Sequence, residues 1–450
     1  MTTIFLRAVS IALGVFLILG RPGGAEAIEI QRVVSPGGIE AWLVEDHKNP
    51  IITFSVSFEG GAAVEPEGKE GLANMVAALL DEGAGPYDSE AFRRRLEDRV
   101  IGLGFNAGRD GFGARLRTLT EYSDEAFDLL RLAMTEPRFD TEPVERIRAQ
   151  IVSGLKRSAT RPQTIASRTW WQAAFPDHPY GRPSAGTVES IGRITVADMK
   201  AFADKVLTRD AMEVGVVGDI DPERLGVLLD RTFGALPDTP APEAPDAATL
   251  SAVGETFVIE EPVPQSVVVF GHRGIPRDDP DRFAAAILME IMAGGFGSRL
   301  TEEIREKRGL TYGIYAYSLP LNGAQMIMGG VSTRNDKVAE TVRLVREIWA
   351  GMAEDGPTEA EVRDAKTYIN GSFPMQLTSS APIAGMLVSM QRNKRPIDYL
   401  DRRPERIDSV TMEDLKRVAK RLFLADELTF VVVGQPKDLK PTAPVPEPRS

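Results

Sequence analysis

Arg308 and Tyr312 stand four residues apart in EKRGLTYGIY. A guanidinium offers rigid charged donors to a carbonyl oxygen, and a phenol adds a neutral O–H donor. Such a pair has the chemistry to donate hydrogen bonds to a carbonyl oxygen. Both residues also have plainer readings. Arg308 closes EEIREKR, a helix end where a cation favours the helix dipole. Tyr312 opens the alternation Tyr312, Ile314, Ala316, which suits packing on a strand face. Upstream, Gly294, Gly295 and Gly297 lie in GGFGSRL. No G-x-x-x-x-G-K-[ST] accompanies them, so they read as backbone freedom for a turn rather than as a phosphate cradle.

Other catalytic chemistries find little material. The three histidines, His47, His178 and His272, are scattered, and no two have the spacing of metal ligands. His178 sits in DHPYG, a turn between helices, and His272 reads as a strand-end residue near solvent after SVVVFG. Asp81 and Glu82 read as the solvated end of a helix before Gly83. There is no cysteine, which excludes disulfides, thiolate metal sites and a cysteine nucleophile. No G-x-S-x-G elbow appears.

The elements that would position these residues come in two similar sets. One half ends SIGRITVADMKAFADKVLTRDAMEVGVVGDID and the other RIDSVTMEDLKRVAKRLFLADELTFVVVGQP. Each gives a threonine cap (Thr195, Thr411), an amphipathic helix, and a β-branched strand ending at Gly218 or Gly434. VERIRAQIVSGLKR in the first half parallels EVRDAKTYINGSF in the second, so the chain reads as two copies of one unit. GIEAWLVED and IITFSVSFEGG read as adjacent strands, GLANMVAALL as a short helix, SEAFRRRLEDRVIGLG as another, and FGARLRTLT as a strand. Helices and strands mix without strict alternation, which favours an α+β fold.

The expected domains are an N-terminal α+β domain at 28–237, a Pro/Ala-rich linker at 238–252, a C-terminal α+β domain at 253–440 and a flexible tail at 441–450. Residues 1–27 read as a signal peptide. MTTIFLR precedes a 13-residue apolar run, too short to span a bilayer as a helix, and Ala25 and Ala27 give the small-x-small cleavage pattern. The expectation is an exported, periplasmic protein with no stable membrane insertion after signal cleavage. A net charge of −12 argues against nucleic acid as a partner, because phosphate binding needs a basic face.

With these pieces assembled, the chain resembles the insulinase, pitrilysin and mitochondrial processing peptidase family. GGAAVEPEGKEGLANMVAALLDEGAG, FPDHPYGRPSAGTVESI, VVGDID and GGFGSRLTEEIREKRGLTYGIYAY carry the resemblance, which covers nearly all of the mature chain. It implies two homologous domains, each a largely antiparallel sheet with packed helices, forming a half-clamp that closes with another around a peptide. Active members carry H-x-x-E-H on a helix, where two His hold zinc and the Glu activates the metal-bound water. Here Asn74, Ala77 and Ala78 stand at those positions, and the further downstream glutamate position falls near Gly154. The expected ligands are all replaced, so this chain supplies no cofactor site of its own. Arg308 and Tyr312 match the family's second-half pair that holds substrate and stabilises the oxyanion, and Gly294, Gly295 and Gly297 match a loop near bound peptide. The resemblance therefore implies the non-zinc-binding subunit of a heteromeric zinc metalloendopeptidase. A homologous partner would bring H-x-x-E-H and zinc, and a peptide would be the substrate. The alternative is an inactive peptidase-like binding, chaperone or structural protein.

Overall fold

The computed structural model describes residues 28–447; the expected signal peptide at 1–27 lies outside them. The first sheet holds β1 (Gln31–Val34), β2 (Glu40–Glu45), β3 (Ile51–Glu59), β4 (Gly102–Ala107), β5 (Gly111–Leu119) and β6 (Met212–Gly218), in the order β1-β2-β6-β3-β5-β4. The second holds β7 (Thr256–Glu260), β8 (Gln265–Arg273), β9 (Ile314–Pro320), β10 (Gln325–Arg334) and β11 (Thr429–Gly434), in the order β7-β11-β8-β10-β9. Apart from β1, the two orders correspond strand for strand. Each has one parallel pair, β2 with β6 and β7 with β11, and is otherwise antiparallel. The fold is α+β in two homologous units, and the internal repeat is a repeat of topology.

The same local chemistry recurs at matching points. β6 and β11 both close on a glycine, Gly218 at φ +144 and Gly434 at φ +153. A Cβ there would lie 2.0 Å from Ile51 O or 2.2 Å from Ser266 Oγ, so only glycine lets the next strand pass. The first half adds helices α1 (Leu72–Ala77), α2 (Ser89–Asp98), α3 (Ser123–Thr135), α4 (Thr141–Ser158), α5 (Pro162–Ala174), α6 (Val188–Arg193), α7 (Val196–Val206) and α8 (Pro222–Phe233). The second adds α9 (Arg282–Ala293), α10 (Val338–Asp355), α11 (Glu359–Ser372), α12 (Ser380–Arg392), α13 (Tyr399–Asp408) and α14 (Met412–Leu422). Thr195 and Thr411 cap α7 and α14 in reciprocal boxes with Asp198 and Asp414, each satisfying two otherwise orphaned N–H groups. The helix expected through VIGLG stops at Asp98: Val100 takes φ +52, and Gly102 already begins β4.

Each sheet buries one face under its helices. In the first, Ile52, Phe54, Val56 and Phe58 of β3 point inward, and Phe54 meets Phe127 of α3 edge-on at 5.4 Å. In the second, Phe270 meets Trp349 of α10 edge-on at 5.8 Å. Burying each such ring contributes about 1.5–3 kcal/mol.

The opposite faces are covered by exchange. α5, from the first half of the sequence, lies on the second sheet, where Trp170 donates from Nε1 to Thr429 O at 3.2 Å. α12, from the second half, lies on the first sheet, where Gln391 Nε2 donates to Val214 O at 2.8 Å. Residues 238–252 contain no helix or strand and run along both units, with Ser251 N donating to Ala174 O at 2.9 Å and Ala248 N to Gly323 O at 2.7 Å. The segment from 441, expected as a flexible tail, is docked over its described part. Thr442 N donates to Thr256 O at 2.9 Å, extending the edge beside β7, and Glu447 O accepts from Gln172 Nε2. Among the described residues no helix is long and apolar enough to cross a membrane.

Candidate functional site

α1 is a single short helix entered through Gly71, whose φ of +90 and crowding by Ile191 and Ala185 O require glycine. Asn74 and Ala78 share one of its faces, half-buried, while Ala77 is buried. The Asn74 amide donates from Nδ2 to Ser184 O at 2.6 Å, which fixes the side chain as a structural tie. α4, the helix carrying Gly154, packs beside α1. A Cβ on Gly154 would meet nothing nearer than Arg157 Nη2 at 4.0 Å, so there is room for a side chain but none is present. An amide already engaged, two methyl groups and a glycine supply no zinc ligand set. Among the described residues no group of three or more His, Cys, Asp or Glu could hold a metal ion.

Carboxylates around α1 serve its architecture. Glu65 accepts from Gly71 N at 3.0 Å and Ala73 N at 2.7 Å, satisfying donors at the start of the helix. Burial pushes its carboxyl up to about 8. The sequence reading missed Glu65 because it stands six residues before Gly71, outside the usual cap position. The reading of Asp81 and Glu82 as a solvated edge is corrected. Burial pushes Asp81 up to about 6. Glu82 accepts from Arg146 at 2.6 Å and Arg93 at 3.0 Å. Burial alone would raise it, but the Arg146 and Ser89 hydrogen bonds hold it below the ordinary carboxylate value. Glu82 thereby ties α2 and α4 to the end of α1.

The Arg308 segment is built differently from the plain helix end expected. Thr301–Glu306 winds wider than an α-helix, with Lys307 N reaching back five residues to Glu302 O at 2.9 Å. Such wide turns are rare and concentrate at functional positions. Arg308 donates from Nη1 to Glu303 O and to Glu303 Oε2, both at 2.6 Å. Gly309 then turns at φ +60. Tyr312 lies before β9 begins and is 91% exposed, so it packs on no strand face. Of the glycines upstream, Gly295 takes φ +124, and Cβ atoms at Gly295 and Gly297 would meet nothing within 4 Å. Phe296 between them is 77% exposed. The loop is open to solvent on that side, as is Tyr312.

The histidines divide. His178 Nδ1 accepts from Tyr180 N at 3.1 Å and holds the turn, as expected for a local structural role. His47 is exposed and lies between Asp219 Oδ1 at 2.7 Å and Glu45 Oε2 at 3.1 Å, which raise its pKa. His272 is not near solvent. It is 1% exposed, accepts from Trp349 Nε1 at 2.8 Å and donates from Nδ1 to Arg273 O at 2.7 Å. Burial pushes its pKa down to about 4. Its Trp partner lies 77 residues away, beyond any local pattern.

A second feature unseen in the sequence joins the halves. Asp110, buried, accepts from Tyr180 OH at 2.8 Å and from Asn322 N at 2.7 Å, and Tyr180 O in turn lies 2.9 Å from Arg109 Nη1. The Tyr180 phenol also accepts from Gly323 N at 2.8 Å. The β4–β5 turn and the β9–β10 turn are thereby fastened through one carboxylate and one phenol.

Comparison with known proteins agrees with this geometry. The family described as "Insulinase (Peptidase family M16)" matches residues 41–188, and "Peptidase M16 inactive domain" matches residues 193–369. The Helicobacter pylori protein named "Non-peptidase homolog YmxG" is 26% identical over 95% of this chain and 98% of its own. An uncharacterized zinc protease of Streptomyces coelicolor is 27% identical over 91% of this chain and 90% of its own. A crystal structure of a peptidase M16 inactive domain from Pseudomonas fluorescens superimposes with a TM-score of 0.86 at 29% identity, covering 92% of this chain and all of that one. By these matches the chain, which contains no H-x-x-E-H, belongs to the insulinase (M16) peptidase family as a peptidase-like member.

Proposed function

We propose that this chain is the non-zinc-binding subunit of a heteromeric zinc metalloendopeptidase, acting in the periplasm on peptides. A homologous partner carrying H-x-x-E-H supplies the zinc and the general base. This chain supplies half of the enclosing surface, with the glycine loop at 294–297 beside the peptide and Arg308 and Tyr312 as donors to its backbone carbonyl. The observation that carries the reading is a contrast. The helix α1, packed beside α4, offers no zinc ligand, while Tyr312 presents its phenol to solvent just after the turn that bears Arg308. Zinc in the partner would polarise the carbonyl and activate water. Arg308 and Tyr312 would orient that carbonyl and share its developing charge.

The test is reconstitution. The purified chain alone should not cleave peptides, and mixing with an H-x-x-E-H homologue encoded by the same organism should give chelator-sensitive cleavage. Arg308→Ala or Tyr312→Phe should lower turnover of the complex by roughly 10- to 1000-fold, the loss typical of an oxyanion donor. Unchanged turnover in both variants removes these residues from the mechanism. One observation favours a second reading, an inactive peptide-binding, chaperone or structural protein: Arg308 is already engaged by Glu303 within its own turn. Peptide binding by the lone chain, with no cleavage in any mixture, would select that reading.

A further inference from the structure

A cavity of about 520 Å³ lies between the two units, walled by β3 and β5 on one side and by α12 and the β9–β10 turn on the other. Its size and its place between domains are those of a ligand site. Ser55, Asn106 and Asn393 give it a polar lining, and three arginines, Arg115, Arg277 and Arg392, come to it from three separate stretches of chain.

These arginines are under-used. A guanidinium has five N–H donors. Arg392 makes two bonds, to Ser57 Oγ at 3.1 Å and to Asp110 O at 2.5 Å. Arg277 makes one, to Pro320 O. The Arg115 side chain makes no hydrogen bond or ion pair among the described residues. None of the three is salt-bridged, whereas elsewhere the chain pairs arginine with carboxylate repeatedly, as in Arg146–Glu82, Arg299–Glu361 and Arg417–Asp281. The one carboxylate in the wall, Asp110, has both oxygens committed to Tyr180 OH and Asn322 N. Glu213 on β6 lies behind Arg392, and burial pushes it up to about 7, which weakens it as a counter-charge. Burial and the facing Arg392 lower the pKa of Arg277 and outweigh the opposing pull of Asp110, as expected where guanidiniums converge with too little counter-charge. Gly111 lacks the Cβ that would lie 2.2 Å from Arg392 Nη1, so the guanidinium lies directly on β5.

We propose that this cavity is a binding site for an oxyanion, carboxylate or phosphate, seated between Arg115, Arg277 and Arg392. Planar guanidiniums match such groups with paired, charge-assisted bonds. A cleft whose wall carries three guanidiniums against one carboxylate also concentrates anions, even in a chain whose net charge is −12. The inference does not rest on the heteromeric-peptidase reading. Because the arginines come from both units, the bound anion would cross-link them.

The test is calorimetric titration and thermal unfolding of the full chain with two probes, inorganic phosphate and a tri-glutamate peptide. Chloride at matched ionic strength is the reference. Saturable binding and a raised Tm are expected with at least one probe. The stronger probe identifies the source of the oxyanion, free phosphate or peptide carboxylate. Arg115→Gln, at an exposed position with no partner to lose, should keep the fold and weaken binding by about tenfold. Arg277→Gln should do the same, and Arg343→Gln on the outer face of α10 should not. No response beyond chloride with either probe, or equal binding by wild type and both cavity variants, would overturn the proposal.

Discussion

Replacing His272 by glutamine should abolish a large, one-directional pH dependence of stability. The imidazole is sealed between Trp349 and the Arg273 carbonyl, and burial pushes its pKa to about 4 against an unfolded value of about 6.5. The folded value is the depressed one, so the unfolded chain takes up the proton first as pH falls. The contribution of neutral His272 is therefore complete above about pH 6.5 and is lost progressively toward pH 4. At about 1.4 kcal/mol per pH unit, the loss reaches about 2 kcal/mol at pH 5 and about 3 kcal/mol at pH 4. Glutamine does not titrate. At pH 7.5 the variant should be less stable by about 1–3 kcal/mol, through poorer bonding to Trp349. By pH 5 that deficit should shrink by about 2 kcal/mol. Glu65, Glu213 and Asp81, raised by burial to about 8, 7 and 6, push stability the other way as pH falls. They are common to both proteins and cancel in the difference. Urea midpoints of both proteins at the two pH values make the measurement, and a deficit that stays constant between them would refute a buried neutral imidazole.

Tyr180→Phe should cost about 2–3 kcal/mol in urea unfolding, because it strands Gly323 N–H and one oxygen of the buried Asp110; an unchanged midpoint would dissolve the proposed fastening. Gly215→Ala places a Cβ 2.4 Å from Ala384 O, so α12 must lift from the first sheet at a cost of about 1–3 kcal/mol, visible as a lower Tm. Metal analysis after dialysis should find far less than one zinc per chain, and stoichiometric retained zinc would contradict the reading of Asn74, Ala77, Ala78 and Gly154.

The repeat was legible because its markers are local. Thr195 and Thr411 cap by a fixed three-residue reach, and Gly218 and Gly434 end strands whose β-branched runs announce themselves. The absence of H-x-x-E-H was legible for the same reason, since that motif is a spacing along one helix. What depended on distance along the chain was hidden. The burial of His272 follows from Trp349, the two-ended grip of Asp110 from Tyr180 and Asn322, and the Glu65 tie from a carboxylate seven residues ahead of its helix. Arg308 and Tyr312 stood out by type and spacing, but the wide turn before them, the bond of Arg308 to Glu303 and the solvent exposure of Tyr312 required coordinates.

The traded helices set a rule for dissection. A protease nick at 238–247 would cut the polypeptide yet release nothing, because each fragment still roofs the other's sheet with a helix it does not share. The two pieces should co-elute as one particle until denatured, and either piece made separately should emerge with an uncovered apolar strand face and precipitate.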